Sequence, residues 1–256
     1  MQLYNASSSY YSMIARLALL EAGANFDDRR LDIHFKKEQL SAWYRQLNPK
    51  MTVPTLIAGS DIYSDSRDIL NFAQSHAAHQ WLDSDSSLET PIRALQDHFY
   101  AIQIEKITFA KAMLSIPPLR YVFPNLLKKI VKQLEIELAT APNKSAVTEK
   151  IKLNEARITF FTQGTLRDKF DHELQSVTDF LVQLPKPEPM LLGKKLSSID
   201  VITATLLTRI KMIGEYGLIK NYPEIDAWFQ NFQQRPTFKN ADMWLRFQPM
   251  RIFLKN

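Results

Sequence analysis

Cysteine is missing from all 256 residues, which excludes disulfides, thiolate metal sites and any mechanism that needs a thiol carried by the protein itself. The five histidines, at positions 34, 76, 79, 98 and 172, never stand four apart around a glutamate, so the His-Glu-x-x-His zinc pattern is absent as well and no metal is expected. No apolar run approaches the roughly 18 residues that suggest a membrane span. No basic segment followed by an apolar one opens the chain, so a secretory signal is not expected and a cytoplasmic location is. Internal repeats and low-complexity tracts are also lacking. The composition is that of a soluble protein, 45% hydrophobic and 23% charged, and the length allows a real core in one large domain or two small ones.

A formal charge of +5 favours association with anions without naming a partner. The densest basic run, Lys128, Lys129 and Lys132, alternates with Leu126, Leu127, Ile130, Val131 and Leu134 at helical spacing. That pattern predicts an amphipathic helix with a solvated basic face, in preference to a membrane-surface helix. No nucleic-acid recognition motif accompanies the basicity, and no nucleic-acid partner is expected.

Periodicity supplies an order of elements. Residues 2–5 and 29–35 read as strands, and between them Met13, Ile14, Leu17 and Leu20 mark a helix stopped at Gly23. Leu40, Trp43, Tyr44 and Leu47 share one helical face, which Asn48-Pro49 ends because the residue before proline avoids helical angles. Thr55 to Ala58 and Asp61 to Tyr63, parted by Gly59-Ser60, predict a hairpin, and Ser64 is the expected cap of a third helix running to about His76. Residues 77–89 lose periodicity and collect Asp and Ser, as a linker does. Beyond them everything reads as helix. One long helix containing Ile92, Leu95, Phe99 and Ile102 is expected to continue to Pro117-Pro118, with further helices from about Asn125 to Ala139 and from about Ala146 past Phe161. Near the end, Ser197 and Asp200 form a Ser-x-x-Asp capping box, flanked by Leu196 and Val201 at the staple positions.

This β-α-β-α-β-β-α order, with Pro54 opening the third strand, resembles a thioredoxin-like N-terminal domain, and the all-α C-terminal domain behind it makes the whole similar to a cytosolic glutathione S-transferase. The residues that carry the resemblance run through nearly the whole chain: Asn48-Pro49, Val53-Pro54-Thr55-Leu56, Asp65-Ser66 with Ile69 and Leu70, Leu192-Gly193, Ser197-x-x-Asp200, Tyr222-Pro223, Trp228 and Arg235-Pro236. The implied domains are a glutathione-binding domain at 1–77, a linker at 78–89 and a helical domain at 90–256. The helical stretch at about 124–161 exceeds what a compact transferase needs. It resembles the insertion of ganglioside-induced differentiation-associated and tetrachlorohydroquinone-dehalogenase-like members. The membrane-spanning tail of the first kind is not expected where the sequence reads "RIFLKN".

The resemblance also assigns roles. Pro54 is expected to be cis, exposing the backbone of Val53 to pair with the cysteinyl unit of glutathione. Ser66, at a helix start where free amides and the dipole favour anions, would hold the γ-glutamyl carboxylate, and Asp65 the ammonium. Most members carry glutamate where Asp65 stands. Gln39 and Thr52 are candidates for the glycyl carboxylate. In "NASSSYYSMIARLAL" the turn before the first helix holds Ser7, Ser8, Ser9 and Ser12, and alignment on Arg16-Leu17-Ala18-Leu19 matches Ser9 to the active serine of serine-type members. By residue chemistry alone Ser8, Ser12, Tyr10 and Tyr11 remain candidates for the hydroxyl that meets the sulfur, and a helix-capping role for Ser9 remains open. Tyr4 is expected to pack inward. Phe99 and Tyr100 are either core or the wall of a second-substrate pocket.

The expected activity is that of a detoxifying transferase, joining the thiolate of glutathione, its co-substrate, to a small hydrophobic electrophile, in a cytoplasmic homodimer. Without cysteine, routes through an enzyme–glutathione mixed disulfide are closed, including reductive dehalogenation of the tetrachlorohydroquinone type. The alternative is a protein that uses the same fold to bind a ligand or partner without turnover.

Overall fold

The computed structural model describes residues 1–248; the stretch "RIFLKN" lies outside the described residues. Four short strands form one mixed sheet in the order β2-β1-β3-β4. Strand β1 (Gln2–Asn5) runs parallel to β2 (Asp27–Arg30) and antiparallel to β3 (Thr55–Ala58), which forms a hairpin with β4 (Asp61–Tyr63). The hairpin falls where Gly59-Ser60 places it, with Gly59 at φ +65°, a conformation that costs a residue without a Cβ little. Strand β2 lies earlier than the apolar pattern predicts. It is an edge strand of four charged residues, ordered by its ladder to β1 rather than by alternation of burial.

Helix α1 (Tyr10–Glu21) packs on the sheet through Met13, Ile14, Leu17 and Ala18, all fully buried or nearly so. A short 3-10 turn at Glu38–Leu40 precedes α2 (Ala42–Leu47), and α3 (Ser66–Ser75) closes the sheet-bearing part. The cap of α3 is Asp65, not Ser64. Asp65 is the last residue with extended backbone, and its Oδ1 accepts from the Arg67 amide at 2.9 Å. Residues 82–88 form two 3-10 turns ahead of α4 (Glu89–Ala101).

The long helix expected through residue 116 is two helices, α4 and α5 (Ile104–Ser115), broken at Ile102 and Gln103. The reason is geometric. Ile102 and Ile104 are both buried, yet at 3.6 residues per turn they would lie about 200° apart around a continuous helix. Helix α6 (Leu119–Leu138), with Pro124 inside it, and α7 (Lys144–Thr162) form an antiparallel hairpin, followed by α8 (Leu166–Val182). Leu127, Val131 and Leu134 of α6 are buried and Lys128, Lys129 and Lys132 face water, as the spacing predicts. No helix among the described residues is long and apolar enough to cross a membrane.

Helix α9 (Ser198–Met212) runs through the centre of the helical part, buried over nearly its whole length. Its capping box is formed: Asp200 accepts from the Ser197 amide at 2.8 Å, and Ser197 Oγ accepts from the Asp200 amide at 3.4 Å. Asp200 also accepts from the Leu191 amide at 2.9 Å, and burial pushes its carboxyl up to about 6. Three short helices, α10 (Tyr216–Lys220), α11 (Pro223–Phe232) and α12 (Pro236–Asn240), follow. One hydrophobic core runs from Leu3 and Leu17 beneath the sheet to Ile202 and Phe229 in the helical part. A second, smaller core joins Leu40 and Met51 to Val131, Leu134, Val147 and Ile151, seating the α6–α7 hairpin against the segment that precedes β3.

Candidate functional site

Sheet register brings the separate motifs to one place. Tyr4 pairs with Thr55, so the end of β1 adjoins the start of β3, and Leu56 pairs with Tyr63, so the end of β4 lies there too. The serine turn that follows β1, the Val53-Pro54 step that precedes β3 and the Asp65-Ser66 start of α3 therefore open at the same end of the sheet. The Val53-Pro54 peptide is cis. Asn48 ties the loops together from below: its Nδ2 donates to the Thr52 carbonyl and to Thr55 Oγ1, each at 2.9 Å, and lies 3.4 Å from the Ser64 carbonyl. Tyr44 adds a second donor to the Thr52 carbonyl at 2.7 Å. These bonds fix the Thr52 carbonyl, one residue before the cis step, and Val53 itself is half-buried.

The serine turn is held by an arginine that the sequence reading used only as an alignment mark. Arg16, 1% exposed, donates to Asn5 Oδ1 at 2.7 Å, to the carbonyls of Ala6 and Ser7 at 3.2 Å each, and to those of Ala241 and Asp242 at 2.8 and 3.1 Å. It thus clamps the turn to the segment after α12. The hydroxyls around it are then distinguishable. Ser7 donates to Asp242, Ser8 lies 2.7 Å from His34 Nε2, and Ser12 is fully buried with its Oγ accepting from the Ala6 amide. Ser9 caps α1, accepting from the Ser12 amide at 3.3 Å. This bond uses an oxygen lone pair and leaves the hydroxyl proton free to be given to a ligand, so capping and donation are compatible. Tyr10 is buried, stacked on Phe99 with ring centroids 6.1 Å apart, which removes Tyr10 from the candidate hydroxyls and Phe99 from the candidate walls and puts both in the core. Tyr4 does not pack into the core as expected: it alternates with the buried Leu3 and Asn5 along β1 and lies part-buried against Tyr44 and the half-exposed Trp43.

At the other end, Ser66 is 3% exposed and Asp65 is half-open, with a long ion pair of 3.8 Å to Lys50. Tyr100 stands on the Ser66 side; burial lifts its phenol well above the ordinary range, and Ser66 works in the opposite direction. Gln39 is loosely held, its Nε2 3.4 Å from the Ile33 carbonyl and its buried Oε1 without a partner. Tyr11 is the hydroxyl whose surroundings sequence reasoning did not foresee. Burial, then the carboxylates of Glu105 and Asp65, hold it protonated far above neutral pH, while Arg157 and Arg209 act against them. Arg209 reaches the turn from α9, its Nη2 donating to the Ser8 carbonyl at 2.9 Å and its guanidinium 5.6 Å from the centre of the Tyr10 ring. Burial pulls Arg209 down to about 10, leaving it charged at neutral pH. No motif marks Glu105, Arg157 or Arg209, because their neighbours are a hundred or more residues away in sequence or belong to another helix.

Residues 8–76 match the family model of the glutathione S-transferase N-terminal domain. Over 255 residues the chain is 25% identical to a tetrachloro-p-hydroquinone reductive dehalogenase of Sphingobium chlorophenolicum, covering 93% of this chain and 94% of that protein. It is 20% identical to glutathione S-transferase D6 of Drosophila melanogaster over 234 residues, with 91% and 87% covered. In three dimensions it superposes on the β-etherase LigF of Sphingobium sp. strain SYK-6 with a TM-score of 0.70 at 17% identity, over 94% of this chain and 97% of the other, a likeness of fold.

Proposed function

We propose that this chain, which belongs to the cytosolic glutathione transferase superfamily, conjugates the thiolate of glutathione to an electrophilic carbon, acting as a homodimer in the cytoplasm. The observation that supports this most is the register that opens the serine turn, the cis Val53-Pro54 step and the Asp65-Ser66 helix start at one end of the sheet. In this reading the tripeptide lies along Val53 as an added strand, its cysteinyl unit paired with that residue's backbone. The γ-glutamyl carboxylate meets Ser66 and the first amides of α3, its ammonium meets Asp65, and the glycyl end lies toward Thr52 and Gln39.

Ser9 then does the chemistry. A free thiol with a pKa of about 8.5 is only a few per cent ionised at neutral pH. A hydroxyl donated to sulfur at the positive end of α1 favours the thiolate, and lowering the pKa by about two units needs only about 2.7 kcal/mol. The sulfur attacks the electrophilic carbon, the leaving group departs with its electron pair, and the thiol proton passes to water. With no cysteine in the 256 residues, the protein forms no mixed disulfide with glutathione, and the reaction ends at the conjugate.

Retention on immobilised glutathione and conjugation of 1-chloro-2,4-dinitrobenzene test the reading together. Ser9→Ala is expected to lower kcat by one to two orders of magnitude, to leave retention in place and to move the pH–rate midpoint upward toward that of free glutathione. A protein that is not retained overturns the reading. So does an unshifted midpoint in Ser9→Ala.

A further inference from the structure

Three cations near the serine turn and the Met51–Val53 segment are left unused by the proposed binding of glutathione. Arg209 arrives from α9 beneath Ser8, 7% exposed, with its Nε buried and without a partner. Arg157 arrives from α7 and pairs with Glu105 of α5. Lys150, seven residues earlier on the same face of α7, places its Nζ 3.1 Å from the Met51 carbonyl, immediately before Thr52 and Val53. Tyr11 lies within the electrostatic reach of Arg157, Arg209, Glu105 and Asp65. Among the described residues, Glu105 is the carboxylate paired with this row, and neither Arg209 nor Lys150 has an ion pair.

A cation taken out of water without a counter-charge is costly, and burial has already pulled the Lys150 ammonium down to about 8. An entering anion relieves that cost. Two of the three, Arg209 and Arg157, gather around Tyr10, Tyr11 and Glu105, at the start of α1 where the proposed reaction holds the sulfur, with Asp65 of the α3 start also within reach of Tyr11. The α6–α7 hairpin, seated by Met51, Leu40 and its own Val131 and Ile151, is what delivers Arg157 and Lys150 to this place.

We propose that the electrophile carries an aryl oxyanion, a ring-borne carboxylate or phenolate, and that Arg157 and Lys150 of the α6–α7 hairpin hold it beside Tyr11 while the sulfur attacks the ring. This rests on the glutathione-transferase reading and narrows its substrate from any hydrophobic electrophile to an anionic one. Arg209 contributes charge from behind the serine turn and is a positioning residue.

A matched pair of halides tests it, 4-chloro-3,5-dinitrobenzoate against 1-chloro-2,4-dinitrobenzene. In both, a carbon–sulfur bond forms, the carbon–chlorine bond breaks, chloride leaves with the pair and the thiol proton goes to water. The ratio of kcat/KM, charged over neutral, is expected to fall at least tenfold in Arg157→Met and in Lys150→Met, and to stay within about threefold of the native ratio in Arg157→Lys. Binding supplies a readout free of turnover. With S-methylglutathione present, native protein is expected to bind 3,5-dinitrobenzoate at least tenfold more tightly than 1,3-dinitrobenzene, a difference that Arg157→Met abolishes. Should Arg157→Met fail to fold, Lys150→Met and Arg157→Lys carry the same comparison. A ratio equal in native protein and variants overturns the inference, as does a rise in the KM of glutathione that is the same for both halides, which would assign the cations to the tripeptide. Loss of retention on glutathione in the native protein overturns the underlying reading instead.

Discussion

The two groups of residues around the proposed site are built in opposite ways. The group formed by the serine turn, the Val53-Pro54 step and the start of α3 consists of short local devices, a cap, a proline and a turn, with the turn further clamped by Arg16 to the segment after α12. Its polar atoms are mostly matched: Asn48 and Tyr44 serve the Thr52 carbonyl, and Arg16 serves four carbonyls and Asn5. The second group consists of the long side chains Arg157 and Lys150 of α7, with Arg209 of α9 behind the serine turn and one carboxylate, Glu105, paired among them. The first group is mostly satisfied by hydrogen bonds, with Gln39 Oε1 the exception; the second holds an excess of positive charge and, in the proposal above, gains from an anionic ligand. Satisfied polar groups specify shape, and unsatisfied ones specify what binds.

The largest expected effect breaks the first group at its clamp. Arg16→Met strands five acceptors in a buried place and is expected to cost about 3–5 kcal/mol, read as a loss of urea stability with the serine turn disordered; a cost under about 1 kcal/mol would show that the turn does not depend on the clamp. The second group is expected to respond in the opposite sense. Lys150 has a folded pKa of about 8 against an ordinary value of 10.5, a penalty on the order of 3 kcal/mol. Lys150→Met removes that penalty and leaves the Met51 carbonyl without its donor, at about 1 kcal/mol, so a net gain of about 1–2 kcal/mol is expected at pH 7.

The sign of its pH dependence follows from linkage. Between pH 8 and 10.5 the unfolded chain keeps a proton on Lys150 that the folded protein releases, so the native contribution of this group rises with pH across that window. The advantage of the methionine variant therefore shrinks as pH rises from 7 toward 10, and urea unfolding at the two pH values checks it. A variant less stable than native at pH 7 would mean that the two groups are equally satisfied. The smallest effect sharpens the first group at its acidic end. Asp65→Ala removes the group proposed to take the ammonium and also the α3 cap, so the KM of glutathione is expected to rise about tenfold, one charge-assisted bond's worth, with a fall in stability of about 1 kcal/mol. Titration of glutathione in steady state, beside thermal unfolding, separates the two.

The order of helices and strands was open to reading because each signal lies within a few residues of what it controls. Gly59-Ser60 turns the hairpin it sits in, and Ser197 caps the helix that begins at the next residue. The readings that missed involved burial set from elsewhere. Residues 29–35 look like a strand by their apolar content, yet the ladder takes Asp27–Arg30, since β1 offers an edge and the charged side chains lose nothing by facing water. The α4–α5 break follows from a core that wants both Ile102 and Ile104, and no proline or glycine announces it. Of the proposed site, Ser9, Val53, Asp65 and Ser66 were legible through their neighbours in sequence, whereas the four serines are told apart only by their partners, Asp242, His34 and Ala6 among them.

By itself, then, the order of residues determined the helix starts, the hairpin, the proline before β3 and the absence of any thiol chemistry of the protein's own, because capping, turn and backbone preferences act over one to four positions. Tertiary structure decided which partner each serine hydroxyl has and which cations come within reach of Tyr11. Those depend on distances between residues far apart in the chain, such as Ser8 and Arg209 or Met51 and Lys150, and electrostatic energy is set by separation and solvent exclusion, which no local pattern records.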